Sequence, residues 1–178
     1  MFAQTYTEYY TVEDREHWQD DWELIYGSPY AMAPSPLVTH QSISMKIARQ
    51  LDEQLDNCPK CQALFEIDWE ISSDTVVKPD TLVICYEPDE KITKKPELIF
   101  EIASKSTVKR DETLKFELYE QEGVEFYVIV YPKKQMAKLY QLKEGRYLKV
   151  GDFSDERYEF ELKKCKIDFD FSKIWRRR

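Results

Sequence analysis

Apolar residues recur at helical spacing over residues 40–55. One stripe of this segment contains Ile43, Ile47, Leu51 and Leu55. Such a stripe predicts an amphipathic helix. Just upstream, Ser35 is a suitable N-cap and Pro36 suits the first helical position. We therefore predict that the helix begins at this Ser-Pro pair.

A second helix is predicted over residues 107–121. Its inner side would contain Val108, Leu114 and Leu118. Gly123 follows directly and is the residue type that most often ends a helix. Asp111, Lys115 and Tyr119 are spaced four residues apart, so they would share one face of this helix.

Strand patterns fill most of the remaining chain. Residues 22–33 read as two short extended pieces around Gly27, and residues 63–71 alternate apolar and acidic side chains. Mostly apolar runs, typical of strands covered on both faces, occupy residues 82–86, 98–104 and 126–131. Short alternating runs follow to the C-terminus.

The order of these elements predicts an α/β fold with a mixed central β-sheet flanked by helices. At 178 residues the chain has the length of one domain. We expect N-terminal strands over 1–34, a core over 35–132, and a C-terminal antiparallel β extension over 133–178.

Glu101 is the one charged residue inside the apolar run of residues 98–103. A buried carboxylate costs several kcal/mol unless it is paired or bound to a metal. The preceding strand has Asp80 at its start. Two carboxylates from neighbouring strands repel each other unless a divalent cation lies between them. A Pro-Asp turn and a salt bridge to a buried Arg or Lys are the structural alternatives.

Composition narrows the class of protein. A net charge of −8 and 42% hydrophobic residues describe an acidic globular chain, and four glycines argue against glycine-rich phosphate loops. We expect a cytoplasmic protein, because no signal-like or membrane-spanning apolar run occurs. Charge is uneven: residues 91–115 carry +3, which leaves −11 for the rest.

The four cysteines are Cys58 and Cys61, in the motif CPKC, and the isolated Cys85 and Cys165. CPKC supplies half of a zinc site, which Cys85, Cys165, His17 or His40 would have to complete from distant segments. The favoured interpretation is a turn with incidental reduced thiols.

An ordered set of motifs resembles a known family. It consists of Pro79-Asp80, the strand Glu101-Ile-Ala-Ser104, Arg110-Asp111 with Lys115 and Tyr119, Gly123-Val124 with Tyr127, and upstream Trp22 to Gly27 and His40-Gln41. This order is similar to that of the putative restriction endonuclease family within the PD-(D/E)XK nuclease superfamily.

The resemblance implies a metal-dependent endonuclease acting on DNA. Asp80, Glu101 and the Ile102 carbonyl would hold Mg²⁺ or Mn²⁺. In the superfamily the catalytic lysine normally stands where this chain has Ala103. In this family it has moved to the next helix, so the resemblance implies that Lys115 is the catalytic lysine. An exposed Asp111–Lys115 helix pair is the alternative for this residue.

The residues expected to line the cleft are Glu23, His40, Gln41, Ser104, Lys105, Asp111 and Tyr119. We expect a homodimer, because two sites related by a two-fold axis suit the cutting of two strands. The rival hypothesis is a catalytically silent nucleic-acid-binding or assembly module that keeps the same fold.

Overall fold

The computed structural model describes residues 7–33 and 35–175. The α-helices are α1 (Val12–Arg15), α2 (Val38–Leu55), α3 (Val108–Glu112) and α4 (Leu114–Glu122). The strands are β1 (Trp22–Ile25), β2 (Ser28–Ala31), β3 (Gln62–Phe65), β4 (Trp69–Ser72), β5 (Thr75–Val77), β6 (Thr81–Ile84), β7 (Leu98–Ile102), β8 (Phe126–Tyr131), β9 (Met136–Lys143), β10 (Arg146–Phe153), β11 (Arg157–Glu161) and β12 (Lys166–Asp170).

A six-stranded sheet forms the centre of the fold, in the order β10-β9-β8-β7-β6-β3. β7 and β8 are parallel, whereas the other neighbours in the sheet are antiparallel. Every residue of β6, β7 and β8 is buried, as expected for strands covered on both faces. The predicted α/β fold with a mixed central sheet is confirmed.

Each face of the central sheet has its own cover. On one face, the buried side of α2 and the β11–β12 hairpin close an apolar core that includes Phe100 and Phe169. On the other face, α4 and the four-stranded sheet β2-β1-β5-β4 close a second core that includes Trp69 and Tyr127. Residues of β7 therefore alternate between two different environments.

Both predicted helices differ from expectation, the first at its start and the second in its interior. The expectation that Ser35 caps α2 is wrong: Leu37 is the N-cap, with extended φ −71° and ψ 153°, so helical geometry begins only at Val38. The second helix is divided at Thr113, whose φ −125° and ψ −81° leave the helical region. The Thr113 hydroxyl donates to the Lys109 carbonyl at 2.6 Å, a local bond that bends helices.

The predicted strand over residues 63–71 is also divided. Glu66 adopts a left-handed conformation, with φ 50°, which turns the chain away from β3. The two halves then join different sheets, because β3 pairs with β6 and β4 pairs with β5. Gly27 does form the predicted turn, and Gly123 ends α4 with φ 79°.

The expectation of reduced thiols is wrong for this structure, which has two disulfides, Cys58–Cys165 and Cys61–Cys85. The paired residues are 107 and 24 positions apart in sequence. Their approach depends on the docking of the C-terminal hairpin and on the β3–β6 pairing, neither of which the spacing of cysteines reveals.

No helix in the described ranges is long and apolar enough to cross a membrane. The arginine tail noted in the sequence, residues 176–178, lies outside the described residues.

Candidate active site

Asp80 and Glu101 meet at one end of the central sheet. The β6–β7 register pairs Thr81 with Phe100, so one residue further along Asp80 stands opposite Glu101. Opposed residues of antiparallel strands project to the same face. The Asp80 carboxylate also accepts a hydrogen bond from the Ile102 N–H, at 2.6 Å from Oδ2. The packing thus brings together the two carboxylates that the sequence singled out.

Glu101 is buried and its Oε1 accepts two hydrogen bonds. Lys115 Nζ lies 2.8 Å away and Tyr119 Oη lies 2.7 Å away, both contributed by α4. No hydrogen bond from the described residues reaches Oε2 of the same carboxylate. One oxygen of Glu101 is therefore held by the protein, and the other remains available to a ligand.

Lys115 is itself buried, with a side chain 5% exposed, so the alternative of an exposed Asp111–Lys115 pair is wrong. Its second partner is Glu23 of β1, whose Oε1 lies 2.6 Å from Nζ. Lys115 thus bridges a carboxylate of the central sheet and a carboxylate of the four-stranded sheet. Because the Lys115 ammonium contacts two buried carboxylates, its position is closely fixed.

Glu23 has two further partners. Its Oε1 accepts the Lys78 backbone N–H at 3.0 Å, and its Oε2 lies 2.9 Å from Arg110 Nη1. The Arg110 guanidinium also stacks over the Tyr30 ring, 5.0 Å from its centroid. Arg110 is part of the family-like motif but was not among the residues predicted for the site. Its place beside Asp111 was the available signal.

Negative charge is in excess at this site. Burial raises the pKa of Glu101 well above its usual value, and Lys115 offsets this only in part, while Asp80 and Asp111 add to the rise. Burial likewise raises the pKa of Asp111, to about 6. For Lys115, burial opposes the charged form, but pairing with Glu101 and Glu23 outweighs it and raises the pKa.

His40, in the first turn of α2, contacts one of these carboxylates, that of Asp80. Its Nε2 lies 3.2 Å from Asp80 Oδ1. This hydrogen bond raises the pKa of His40 above its usual value, against the effect of burial. Its Nδ1 is buried and has no hydrogen-bond partner in the described chain. Of the two ring nitrogens of His40, only Nε2 therefore has a partner in the described chain, and that partner is Asp80.

Comparison with known proteins decides the family. The sequence matches the family profile Uma2, described as "Putative restriction endonuclease", over residues 5–160. The chain belongs to the Uma2 family. No curated protein sequence matches it.

The fold of this chain is also found in a solved structure. A crystal structure of a "putative nuclease belonging to DUF820" from Anabaena variabilis aligns with a TM-score of 0.76 and 14% identity, covering 93% of this chain and 97% of that one. At this identity the likeness concerns the fold alone. A DrdV–DNA complex aligns with a TM-score of 0.33 and 12% identity, covering 64% of this chain and 12% of that one, which is too weak to support an argument.

The remaining candidate residues predicted from the sequence fall into two groups. Asp111 and Tyr119 are buried beside Lys115. Gln41 is exposed at the rim, where its Nε2 lies 3.1 Å from Glu66 Oε1. Lys105 is exposed just beyond β7.

Ser104 has a structural partner instead. Its hydroxyl lies 3.1 Å from the Thr107 hydroxyl, and the Ser104 backbone N–H donates to the same Thr107 oxygen at 3.1 Å. These bonds shape the turn between β7 and α3. These contacts give Ser104 a structural role in the turn.

The donor set fits a hard divalent cation. Four carboxylates (Glu23, Asp80, Glu101 and Asp111) face the permanent cations Lys115 and Arg110, so this part of the described chain carries a formal charge of −2. Mg²⁺ takes oxygen ligands and is typically held by one or two carboxylates with waters. With all four cysteines paired in disulfides, no group of three or more His, Cys, Asp or Glu side chains in the described ranges is arranged to hold a metal. Two carboxylates and a backbone carbonyl are thus the candidate ligands.

Proposed function

We propose that this protein is a metal-dependent endonuclease that hydrolyses phosphodiester bonds of DNA. The observation that carries the proposal is the placement of Asp80 opposite Glu101, with buried Lys115 donating to Glu101 at 2.8 Å. In this proposal Asp80, Glu101 and the Ile102 carbonyl hold Mg²⁺ or Mn²⁺. The Ile102 carbonyl is included because its own N–H already points at Asp80, and both groups of an extended residue face the same side of the strand.

A bound cation of this kind supplies an activated water and neutralises charge on the phosphate. Lys115 then places its positive charge beside Glu101, where it stabilises the negative charge that develops on the reacting phosphate. Tyr119 orients the Glu101 carboxylate, and Glu23 fixes the lysine ammonium. Each role requires the burial that excludes competing water.

DNA is the proposed substrate because the basic part of this acidic chain adjoins the site. Lys105 and Lys109 are exposed in the segment that follows β7, within residues 91–115. Such cations can contact phosphates, whereas a net charge of −8 disfavours tight nonspecific binding elsewhere on the surface. A homodimer and a cytoplasmic location belong to the same proposal. Light scattering after gel filtration measures the first, and fractionation of the source cells the second.

Cleavage of supercoiled plasmid tests the proposal. Nicking should require Mg²⁺ or Mn²⁺ and stop with chelator. Asp80→Asn, Glu101→Gln and Lys115→Met should each lower the rate by about 10²-fold or more, as loss of a catalytic electrostatic contact does. Asp152→Asn, an exposed carboxylate on β10, is the matched control and should cut normally.

Circular dichroism on each variant separates lost chemistry from lost folding. Full activity in folded Asp80→Asn and Glu101→Gln would show that the site is assigned wrongly. Binding of DNA without cutting under any metal would instead favour the silent binding module.

A further inference from the structure

A second corner of the molecule gathers all four cysteines. Cys58 and Cys61 lie in the turn after α2, with the Cys61 N–H donating to the Cys58 carbonyl at 3.2 Å. Cys85 follows β6, and its Cα lies 3.9 Å from that of Cys61. Cys165, before β12, has its Cα 6.1 Å from that of Cys58. The sulfur atoms of three chain segments thus lie together at the turn that contains Cys58 and Cys61.

This arrangement supplies the ligands that the sequence alone left incomplete. A structural zinc site takes four thiolates in a tetrahedron, and two of them commonly come from a C-x₂-C turn. Here the other two come from Cys85 and Cys165, with no other cysteine in the chain. We propose that, when both disulfides are reduced, the four thiolates bind one Zn²⁺ as a closed structural site.

The surroundings suit a tetrathiolate centre. Cys61, Cys85 and Cys165 are at most 6% exposed and pack against the apolar core, which shields the centre from water. Four thiolates with one Zn²⁺ carry a charge of −2. Lys164 lies against the cluster, because its Nζ donates to the Cys85 carbonyl at 2.8 Å. Lys60 stands between the first two cysteines, so both lysines can balance this charge.

Zinc at this corner would fasten separate parts of the fold. The ligands belong to the end of α2, to the β3–β6 strand pair and to the C-terminal hairpin. The hairpin is joined to β10 by only a few residues. It contacts α2 through apolar packing and through two hydrogen bonds between the Gln50 side chain and the Asp170 backbone. The ion would therefore help to hold the β11–β12 hairpin against α2 and the β3–β6 strand pair, whether or not the protein cuts DNA.

Reduction must come first, because disulfide sulfurs do not ligate zinc as thiolates do. A phosphine converts each S–S bond into two thiols, while the phosphine gains an oxygen atom from water and the water supplies both protons. Zn²⁺ then displaces the thiol protons as it binds. The experiment therefore uses the untagged full chain, reduced by a phosphine and incubated with Zn²⁺, followed by gel filtration and elemental analysis.

We expect one zinc per chain, and loss of this zinc in Cys58→Ser and in Cys165→Ser. Asp80→Asn/Glu101→Gln is the matched control that removes the other candidate metal site, and it should keep its zinc. Co²⁺ should give the visible bands of a tetrahedral thiolate complex in the unmutated chain, which tests the site even if a serine variant fails to fold.

Reduced protein with four reactive thiols and no retained zinc would overturn the proposal. So would zinc retained undiminished in both serine variants, or disulfides that persist in excess phosphine.

Discussion

Replacing Lys115 with methionine tests the electrostatic account of the site through folding stability. Methionine fills a similar volume but removes the charge that pairs with Glu101 at 2.8 Å and Glu23 at 2.6 Å. Both carboxylates have side chains no more than 5% exposed, so water cannot replace the ammonium. Removing one partner of a buried ion pair costs about 3–5 kcal/mol. We expect Lys115→Met to lower the free energy of unfolding by this amount at pH 8.

Lys91→Met is the matched control. Lys91 also lies near two carboxylates, Glu70 at 3.0 Å and Glu16 at 3.7 Å, but its side chain is 60% exposed. An exposed pair of this kind contributes about 0–1 kcal/mol. Urea unfolding followed by tryptophan fluorescence measures both variants, and a loss of 3–5 kcal/mol shifts the midpoint by about 2 M for an m-value near ~2 kcal/mol/M.

The effect of Lys115→Met should also depend on pH. Burial already raises the pKa of Glu101, and removal of its nearest cation raises this pKa further. A carboxyl whose pKa is raised by folding destabilises the protein above its unfolded pKa, and the penalty disappears as the pH falls below that value. The loss of stability should therefore be larger at pH 8 than at pH 5. Equal shifts for Lys115→Met and Lys91→Met, or a loss independent of pH, would refute the buried-pair account.

Two further variants probe neighbouring groups. Folding raises the pKa of Asp111 from 3.8 to about 6, so its ionisation destabilises the protein as the pH rises from about 4 to above 6. Asp111→Asn should therefore be more stable than the parent by up to about 3 kcal/mol at pH 8, and the two proteins should be equally stable near pH 3. Urea unfolding midpoints measured across this pH range test the prediction, and a variant less stable than the parent at pH 8 would contradict it. Tyr119→Phe removes the 2.7 Å hydrogen bond to Glu101 and should cost about 1.5–3 kcal/mol in the same assay, whereas a change near zero would mean that this bond contributes nothing to stability.

The sequence was sufficient to predict those site residues whose positions follow from the regular spacing within one strand or one helix. Glu101 stood out as a carboxylate inside an apolar run, and the order of strands placed Asp80 next to it. Four-residue spacing put Lys115 and Tyr119 on one face, and both indeed bond to Glu101. Local periodicity carries this information because strand and helix geometry repeat at known intervals.

Other features depended on packing between distant segments or on single backbone angles. Glu23 holds Lys115 from a strand 92 positions earlier in the chain, and no spacing rule joins the two. The breaks at Glu66 and Thr113 each arise from one residue leaving its regular φ and ψ. Convergence of the cysteines likewise required the C-terminal hairpin to dock beside α2.

The proposed catalytic lysine comes from α4 and not from β7. A lysine two residues after Glu101 would be positioned by β7 itself, but that place holds Ala103. Lys115 comes instead from α4, and its ammonium is located by Glu23 of the four-stranded sheet as well as by Glu101. The proposed site is therefore built from the central sheet, α4 and the four-stranded sheet. A change that loosens the four-stranded sheet, such as Glu23→Gln, reaches the proposed catalytic lysine without touching either candidate metal ligand. In this protein the four-stranded sheet is therefore a structural part of the proposed active site.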